Sequence, residues 1–388
     1  MTNPCRAGVW DVTPLTGLVT DWSNNPALLY VEHEAQARAA AVFEAPTTYT
    51  GDALDLTLAP RVRLSDGGGY SSVISNYQRF DAKGDFYADR DVLTASANYS
   101  RDSSLYYDYT LNGSAGVERN SIKGDLTWTR HLTERCDFDI DVDSSKVRYG
   151  RPDQGSATLT DYSYSVLSSD VTWLESERNK FTFSPSASLY KSLNGQTKST
   201  EGSLQLGFTR QLTELWTFNA LMGYSRSYNR LDIEESFLVL TSQGPVIETI
   251  PFDLKSTQNG TVFSAILSRN APTWRFTALA SRQLVPSGFA FLSHQDAYEA
   301  DLIYPRNERL TFNAQARYVR SQDPSFQGQY TSRIVRFITA GTTWRWTENW
   351  SISLNAVRAA EDISSIHVSP ATTEVSLQLA RQFNPIRF

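Results

Sequence analysis

Apolar residues recur at every second position along most of this chain. In the last stretch, 371–388 (ATTEVSLQLARQFNPIRF), Val375, Leu377, Leu379 and Phe383 fall on one phase. Glu374, Ser376, Gln378, Ala380 and Gln382 fall on the other. A period of two is that of a β-strand with one apolar and one polar face. The pattern repeats upstream. At 53–64, Leu54, Leu56, Leu58, Val62 and Leu64 oppose Asp55, Thr57, Ala59, Arg61 and Arg63. At 79–88, Phe80, Ala82, Gly84 and Phe86 oppose Asp81, Lys83 and Asp85. Ile122, Leu126 and Trp128 oppose Lys123, Asp125, Thr127 and Thr129, and at 136–143 an apolar phase alternates with Asp137, Asp139, Asp141 and Asp143. Leu310, Phe312, Ala314, Ala316 and Tyr318 oppose Thr311, Asn313, Gln315 and Arg317. At 161–174 the alternation changes phase near Ser168–Ser169, which reads as a β-bulge.

The connections decide what these strands build. Five short turns resemble one another: 131–135 (HLTER), 175–179 (ESERN), 211–215 (QLTEL), 304–309 (YPRNER) and 346–349 (WTEN). Each carries a Glu and most lie beside Trp or Phe. Longer loops separate them, at 65–72, 103–116, 149–160 and about 229–258. Trp128, Trp173, Trp216, Trp274, Trp344, Trp346 and Trp350 gather near the short turns. Short turns at one end, long loops at the other, aromatic girdles and a terminal aromatic, Phe388, are the layout of an outer-membrane barrel. The expected fold is all-β, a transmembrane antiparallel outer-membrane β-barrel. A soluble propeller or β-helix would show a fixed repeat, and none is visible.

Counting back from Phe388 places strands near 371–386, 350–363, 333–347, 310–322, 290–304, 273–286, 259–270, 215–230, 199–212, 179–192, 161–175, 136–149, 119–131, 91–103, 76–89 and 53–66. That makes sixteen. Residues 38–50 read as a further strand, with 17–27 as its partner, so about eighteen strands are expected, with sixteen the alternative. An even count places both chain ends in the periplasm. Residues 1–16 are then a periplasmic N-terminal segment and 17–388 a single barrel. The final strand must close the sheet against the first, on 17–27 for eighteen strands or on 53–66 for sixteen.

Composition agrees with a barrel. The mean hydropathy is −0.38 with 40% hydrophobic residues, so no apolar helix spans a membrane, while a strand that faces a polar lumen keeps average hydropathy low. A net charge of −6 without a basic cluster excludes nucleic acid as an expected partner. Cys5 and Cys136 form neither a disulfide framework nor a metal spacing. No secretory signal opens the sequence, so an exported protein is expected to have lost it, and Cys5 lacks the residues that precede a lipidated cysteine.

No catalytic constellation, cofactor or metal site is expected. His33, His131, His294 and His367 are scattered, and His131 reads as a solvated turn residue. The candidate functional residues are those of the polar phase, which would line the lumen: Asp55, Arg61, Arg63, Asp81, Lys83, Asp85, Lys123, Asp125, Asp137, Asp139, Asp141, Asp143, Asn313, Gln315 and Arg317. Four carboxylates spaced about 6.8 Å along one strand need water or basic partners. Lys123, Arg61, Arg63 and Lys83 are the expected partners, giving either a charge-balanced wall or a mildly acidic conduit that favours cations or neutral sugars. Tyr106, Tyr107, Tyr109, Tyr149 and Tyr162 suit a sugar-facing role or an outer interfacial girdle. Segment 229–258 either extends two strands above the membrane or folds inward as a constriction.

The stretch from Val19 to Leu28 (VTDWSNNPAL), the LTER-type turns and Pro286–Ser287–Gly288 resemble outer-membrane β-barrels encoded with exopolysaccharide synthesis and export systems. Pro385 and the looser opening depart from that pattern. The resemblance implies passage of a secreted polysaccharide, with polysaccharide and periplasmic export components as partners and no catalytic residues. Outer-membrane lipid and the barrel assembly machinery, the latter through Val375, Leu377, Leu379, Phe383 and Phe388, are the other expected partners. A general or substrate-specific diffusion porin and a sheath around a periplasmic protein are the competing functions.

Overall fold

A computed structural model describes residues 8–26, 34–66, 76–103, 117–150, 159–241, 244–288, 292–322, 332–363 and 369–388, with the backbone alone over 233–252. The described elements are all strands, joined in one antiparallel sheet: β1 (Val9–Val12), β2 (Leu15–Ser23), β3 (Gln36–Glu44), β4 (Thr47–Thr50), β5 (Leu54–Ser65), β6 (Tyr77–Tyr87) and β7 (Asp91–Ser103). Then come β8 (Glu118–Thr133), β9 (Cys136–Tyr149), β10 (Tyr162–Ser176), β11 (Asn179–Ser192), β12 (Thr197–Gln211), β13 (Trp216–Thr241) and β14 (Gly244–Asn270). The last are β15 (Arg275–Pro286), β16 (Leu292–Pro305), β17 (Leu310–Gln322), β18 (Ser332–Arg345), β19 (Trp350–Ile363), β20 (Ala371–Gln382) and β21 (Ile386–Arg387).

Each strand pairs with its sequence neighbour, and the terminal strands close the ring. Leu15 through Ser23 of β2 pair with Gln382 through Glu374 of β20. The result is a closed 18-strand barrel, in which β1 continues β2, β4 continues β3 and β21 continues β20. Closure leaves no open edge to lipid, which cannot satisfy backbone hydrogen bonds. The sheet therefore begins upstream of residue 17, with β2 at Leu15 and β1 at Val9.

Proline explains the three interruptions. Pro14, Pro46 and Pro385 each fall between the two parts of a broken strand, where a residue without an N–H cannot donate to the ladder. Their carbonyls still accept. Pro14 takes a hydrogen bond from Phe383 N–H (2.9 Å), and Pro46 takes one from Thr13 N–H (2.9 Å). The neighbouring Pro60 takes one from Ala45 N–H (3.2 Å). Pro385 is thus part of a seam where several strands bend together. Below it, Phe388 and Trp10 exchange backbone hydrogen bonds.

The period-two pattern fixes the two faces. Large apolar residues stand exposed on the outside, among them Leu64, Phe80, Ile122, Leu126, Trp173, Leu206, Met222, Ile338, Leu354 and Leu377. On a soluble protein so much exposed apolar surface would be aggregation-prone, whereas on a barrel it is the lipid-facing belt. Aromatic residues cluster near the short turns: Trp216 meets Trp274 edge-on at 6.2 Å, and Arg381 lies over both Trp350 and Phe383.

Two expectations change. The phase slip in β10 is not a bulge at Ser168–Ser169: β9 and β10 stay in register through both residues, and the irregularity lies at Leu174/Ser176 beside the turn. The slip has another cause, described below. Segment 229–258 forms the ends of the longest hairpin. Beyond Leu231 and before Phe263 its two strands pair only with each other, through to Thr241 and Gly244.

Candidate functional site

The site is the inner wall of the barrel, and the register places it residue by residue. Asp55, Arg61, Arg63, Asp81, Lys83, Asp85, Lys123, Asp125, Asp137, Asp139, Asp141, Asp143, Asn313, Gln315 and Arg317 all occupy the face opposite the exposed apolar belt. Val375, Leu377, Leu379 and Phe383 lie on the outer face of the closing strand, and Phe388 lies exposed beyond it.

The ion pairs are local, and they differ from those expected for the aspartates. Arg61 pairs with Glu44 (2.7 Å), Arg63 with Asp21, and Lys83 with Asp85 (2.9 Å). Arg79 grips Asp81 with two hydrogen bonds of 2.6 and 3.0 Å, while Asn98 donates to the same carboxylate (2.6 Å). None of these cations reaches β9. Strands β6 and β9 stand three strand spacings apart, about 14 Å around the wall, beyond side-chain reach.

The β9 aspartates are instead flanked by β8 and β10, which add more carboxylate. Asp143 sits opposite Asp125, and Asp139 sits between Thr129 and Asp170. Thr127 donates to Asp141 (2.7 Å), and His131 meets Asp137 at 2.6 Å, so His131 belongs to this wall as well as to its turn. Asp125, Asp141 and Asp143 each bring an oxygen within 4.8 Å of the others, and Asp143 is exposed to the lumen. Among the described residues these aspartates meet a threonine hydroxyl, a histidine and one another. On the opposite side Glu299 is bridged by Gln315 (2.8 Å) and Arg317 (3.6 Å).

Towards the long-loop end the inner wall changes character. Here Val147, Tyr162 and Tyr190 point inward and are buried, Tyr190 completely. Their partners come from another part of the barrel. The pairing of β14 with β15 stops at Phe263 opposite Arg282, so the end of the β15–β16 hairpin leaves the wall. Its Leu284 and Leu292 pack against Val147, Tyr162 and Tyr190, with Tyr149 and Tyr164 at the margin. The Tyr190 hydroxyl donates to the Ser287 carbonyl (3.3 Å), and Thr160 N–H donates to the Gly288 carbonyl (2.8 Å). Strands β12, β13 and β14 separate these partners along the wall, so the contact is made inside the barrel.

Gly288 lies close against two side chains, since a Cβ there would stand 2.9 Å from Leu159 and 3.0 Å from the Tyr149 hydroxyl. The Pro286–Ser287–Gly288 motif is therefore the tether of an inward fold. Beside it lies a cavity of about 420 Å³, whose lining includes Arg119, Lys123, Asp125, Asp143, Tyr164 and Pro286. Arg119 pairs with Asp102 at 3.3 Å, and both side chains are almost fully buried.

The sequence reading missed Tyr164, Tyr190, Leu284, Leu292, Asp102 and Arg119, and it assigned Tyr149 and Tyr162 to other roles. A signal for them was present: Tyr162, Tyr164 and Val166 occupy the inward phase of β10 while Leu167, Val171 and Trp173 occupy the outward one. What looked like a slipped register is an apolar patch on the polar face. Tyr106, Tyr107, Tyr109, His33, His367 and Cys5 lie outside the described residues. Cys136 is a half-buried free thiol.

No family model matches the sequence, and no curated protein matches it. Solved structures do. OccK2 (OpdF) of Pseudomonas aeruginosa, in complex with glucuronate, is similar at 10% identity and a TM-score of 0.47, over 97% of this chain and 98% of that one. OccAB4 of Acinetobacter baumannii is similar at 13% identity and a TM-score of 0.44, over 100% of both chains. The ferric-catecholate import receptor Fiu of E. coli K12 is similar at 8% identity and a TM-score of 0.48, over 95% of this chain and 81% of that one. The likeness is one of barrel form. Closure and the outward apolar belt place the chain in a bacterial outer membrane as a transmembrane β-barrel.

Proposed function

We propose that this barrel is a passive diffusion channel for small polar solutes, with short turns and chain ends in the periplasm and long loops outside. The observation that carries the reading is the acidic inner wall on β8–β10, leading to the narrowing formed by Leu284, Ser287, Gly288 and Leu292. A polar wall with separated charges lets hydrated solutes pass without binding them tightly, and its carboxylates favour cations over anions.

The inward tether sets the width. A secreted polysaccharide requires a clear path for a polymer chain, and the tethered hairpin end narrows that path, so small solutes are preferred to the polymer. Deleting the polymer-export role is simple to test as well, since a strain without this protein then secretes polymer normally. The primary test is planar-bilayer recording of the purified protein. Steady ohmic steps with cation preference are expected, and absence of steps from correctly folded protein would overturn the channel. Removal of 234–252 is expected to leave conductance unchanged, because there β13 and β14 pair with each other beyond the ends of their pairing with β12 and β15.

A further inference from the structure

The outer face above the apolar belt carries cations of two kinds. Five are neutralised by an outward carboxylate: Arg101 by Glu118 (2.7 Å), Arg230 by Asp232 (3.1 Å), Lys255 by Asp253 (2.7 Å), Arg282 by Asp296 (2.5 Å) and Arg336 by Asp362 (2.7 Å). On β9–β13 five others have no carboxylate partner among the described residues: Lys146, Arg148, Lys191, Lys198 and Arg226. All five are exposed.

Register makes them one patch. Lys146 lies opposite Ser163, Ser163 opposite Lys191, Lys191 opposite Lys198, and Lys198 opposite Arg230. Neighbouring strands stand about 4.8 Å apart, so Lys191 and Lys198 face each other directly and repel. Arg148 and Arg226 flank this row on the same face, Arg226 between the exposed Tyr224 and Tyr228. The nearby Asp161 carboxylate accepts the Tyr149 backbone N–H (2.8 Å). The chain as a whole is acidic, with a net charge of −6, so an uncompensated basic row is not a reflection of composition.

Height identifies the counter-charge. Counting from the short turns, Lys146 is ten residues beyond Cys136 and Lys191 twelve beyond Asn179. Barrel strands need about 9–11 residues to cross the hydrocarbon. The row therefore stands where the apolar belt ends, at the headgroup level of the long-loop side. We propose that these five residues form a binding site for the phosphate groups of a phosphorylated lipid in the outer leaflet. Arg and Lys together bind phosphate by bidentate and point-charge contacts, and clustered cations at a membrane surface strengthen anionic-lipid binding additively. The inference rests on the membrane orientation proposed above and is independent of conduction.

The test uses the full-length folded protein and bisphosphorylated lipid A as the probe, with retained lipid counted by native mass spectrometry. Lys146, Arg148, Lys191, Lys198 and Arg226 are changed together to Gln, with Arg282→Gln/Arg336→Gln as the control for neutralised cations. Retention is expected to fall on the order of tenfold or more in the five-residue variant and to persist in the control. Lys191→Gln/Lys198→Gln alone is expected to give a partial loss and serves if the larger variant fails to fold. Equal retention by the five-residue variant, equal loss in the control, or equal retention of dephosphorylated lipid A would overturn the proposal. So would occupancy of the patch by inorganic phosphate as strong as that by lipid A, since the site would then not be one for lipid. Asn194→Cys in a Cys5→Ser/Cys136→Ser background reports orientation separately, through labelling of intact cells by an impermeant maleimide. Labelling with unchanged retention sinks the lipid site alone, and absence of labelling sinks the orientation beneath it.

Discussion

Two halves of one lumen follow the same alternation and treat polar groups in opposite ways. Near the short turns the inner wall is wet. Its carboxylates meet hydroxyls and a histidine, and Lys83 and Arg79 are exposed beside their partners. Near the long loops the inner wall is covered. Tyr190 and Leu292 are fully buried, and Asp102 and Arg119 are paired there with both side chains almost fully buried. The period of two assigns a residue to a face, but it says nothing about whether that face is wet. That depends on what leaves the wall to cover it, and here Leu284 and Leu292 of the β15–β16 hairpin do so.

The comparison can be broken most sharply at Arg119. Removing one partner of a buried ion pair leaves an uncompensated charge, at a cost of about 3–5 kcal/mol. Arg119→Gln should lower the urea midpoint of unfolding accordingly, and Asp102→Asn/Arg119→Gln should recover most of the loss. The matching change in the wet half, Lys83→Gln, should cost no more than about 1 kcal/mol, because exposed pairs contribute little. Equal losses at the two sites would refute the distinction.

The acidic wall gives an intermediate effect, on selectivity and not on stability. Asp139→Asn/Asp141→Asn/Asp143→Asn should shift the reversal potential in a salt gradient towards no preference, with the urea midpoint unchanged within error. An unaltered reversal potential would mean that β9 does not set the field in the lumen. The smallest effect is expected from Tyr190→Phe, which removes the hydrogen bond to the Ser287 carbonyl but keeps the ring. A loss of about 0.5–1.5 kcal/mol follows, together with noisier current as the hairpin end loosens.

Much of this was legible in the sequence, and for a physical reason. Alternation, short turns with Glu, tryptophans beside them and the closing strand at 371–382 are local features, so strand faces and most of the ring could be read directly. The closure partner, expected at 17–27 with 53–66 as the alternative, lies at Leu15–Ser23. The charge pairing was not legible, because it depends on lateral neighbours: Arg61, Arg63 and Lys83 answer to Glu44, Asp21 and Asp85, not to the aspartates of β9. The inward fold was legible only in part. Tyr162, Tyr164 and Val166 broke the polar phase, but their partners Leu284 and Leu292 lie more than a hundred residues away. Nothing local distinguishes such a patch from a bulge.

The central claim is that Leu284, Ser287 and Leu292, held against Tyr190, set the width of the channel. It is tested by single-channel conductance of Leu284→Ser/Leu292→Ser beside the unaltered protein, under the same salt and voltage. Both substitutions place a polar side chain in an apolar cluster and should release the hairpin end from the lumen. A severalfold larger unitary conductance, with folding shown by the heat-dependent shift in gel mobility, is the expected result. An unchanged conductance in the folded variant would contradict the account.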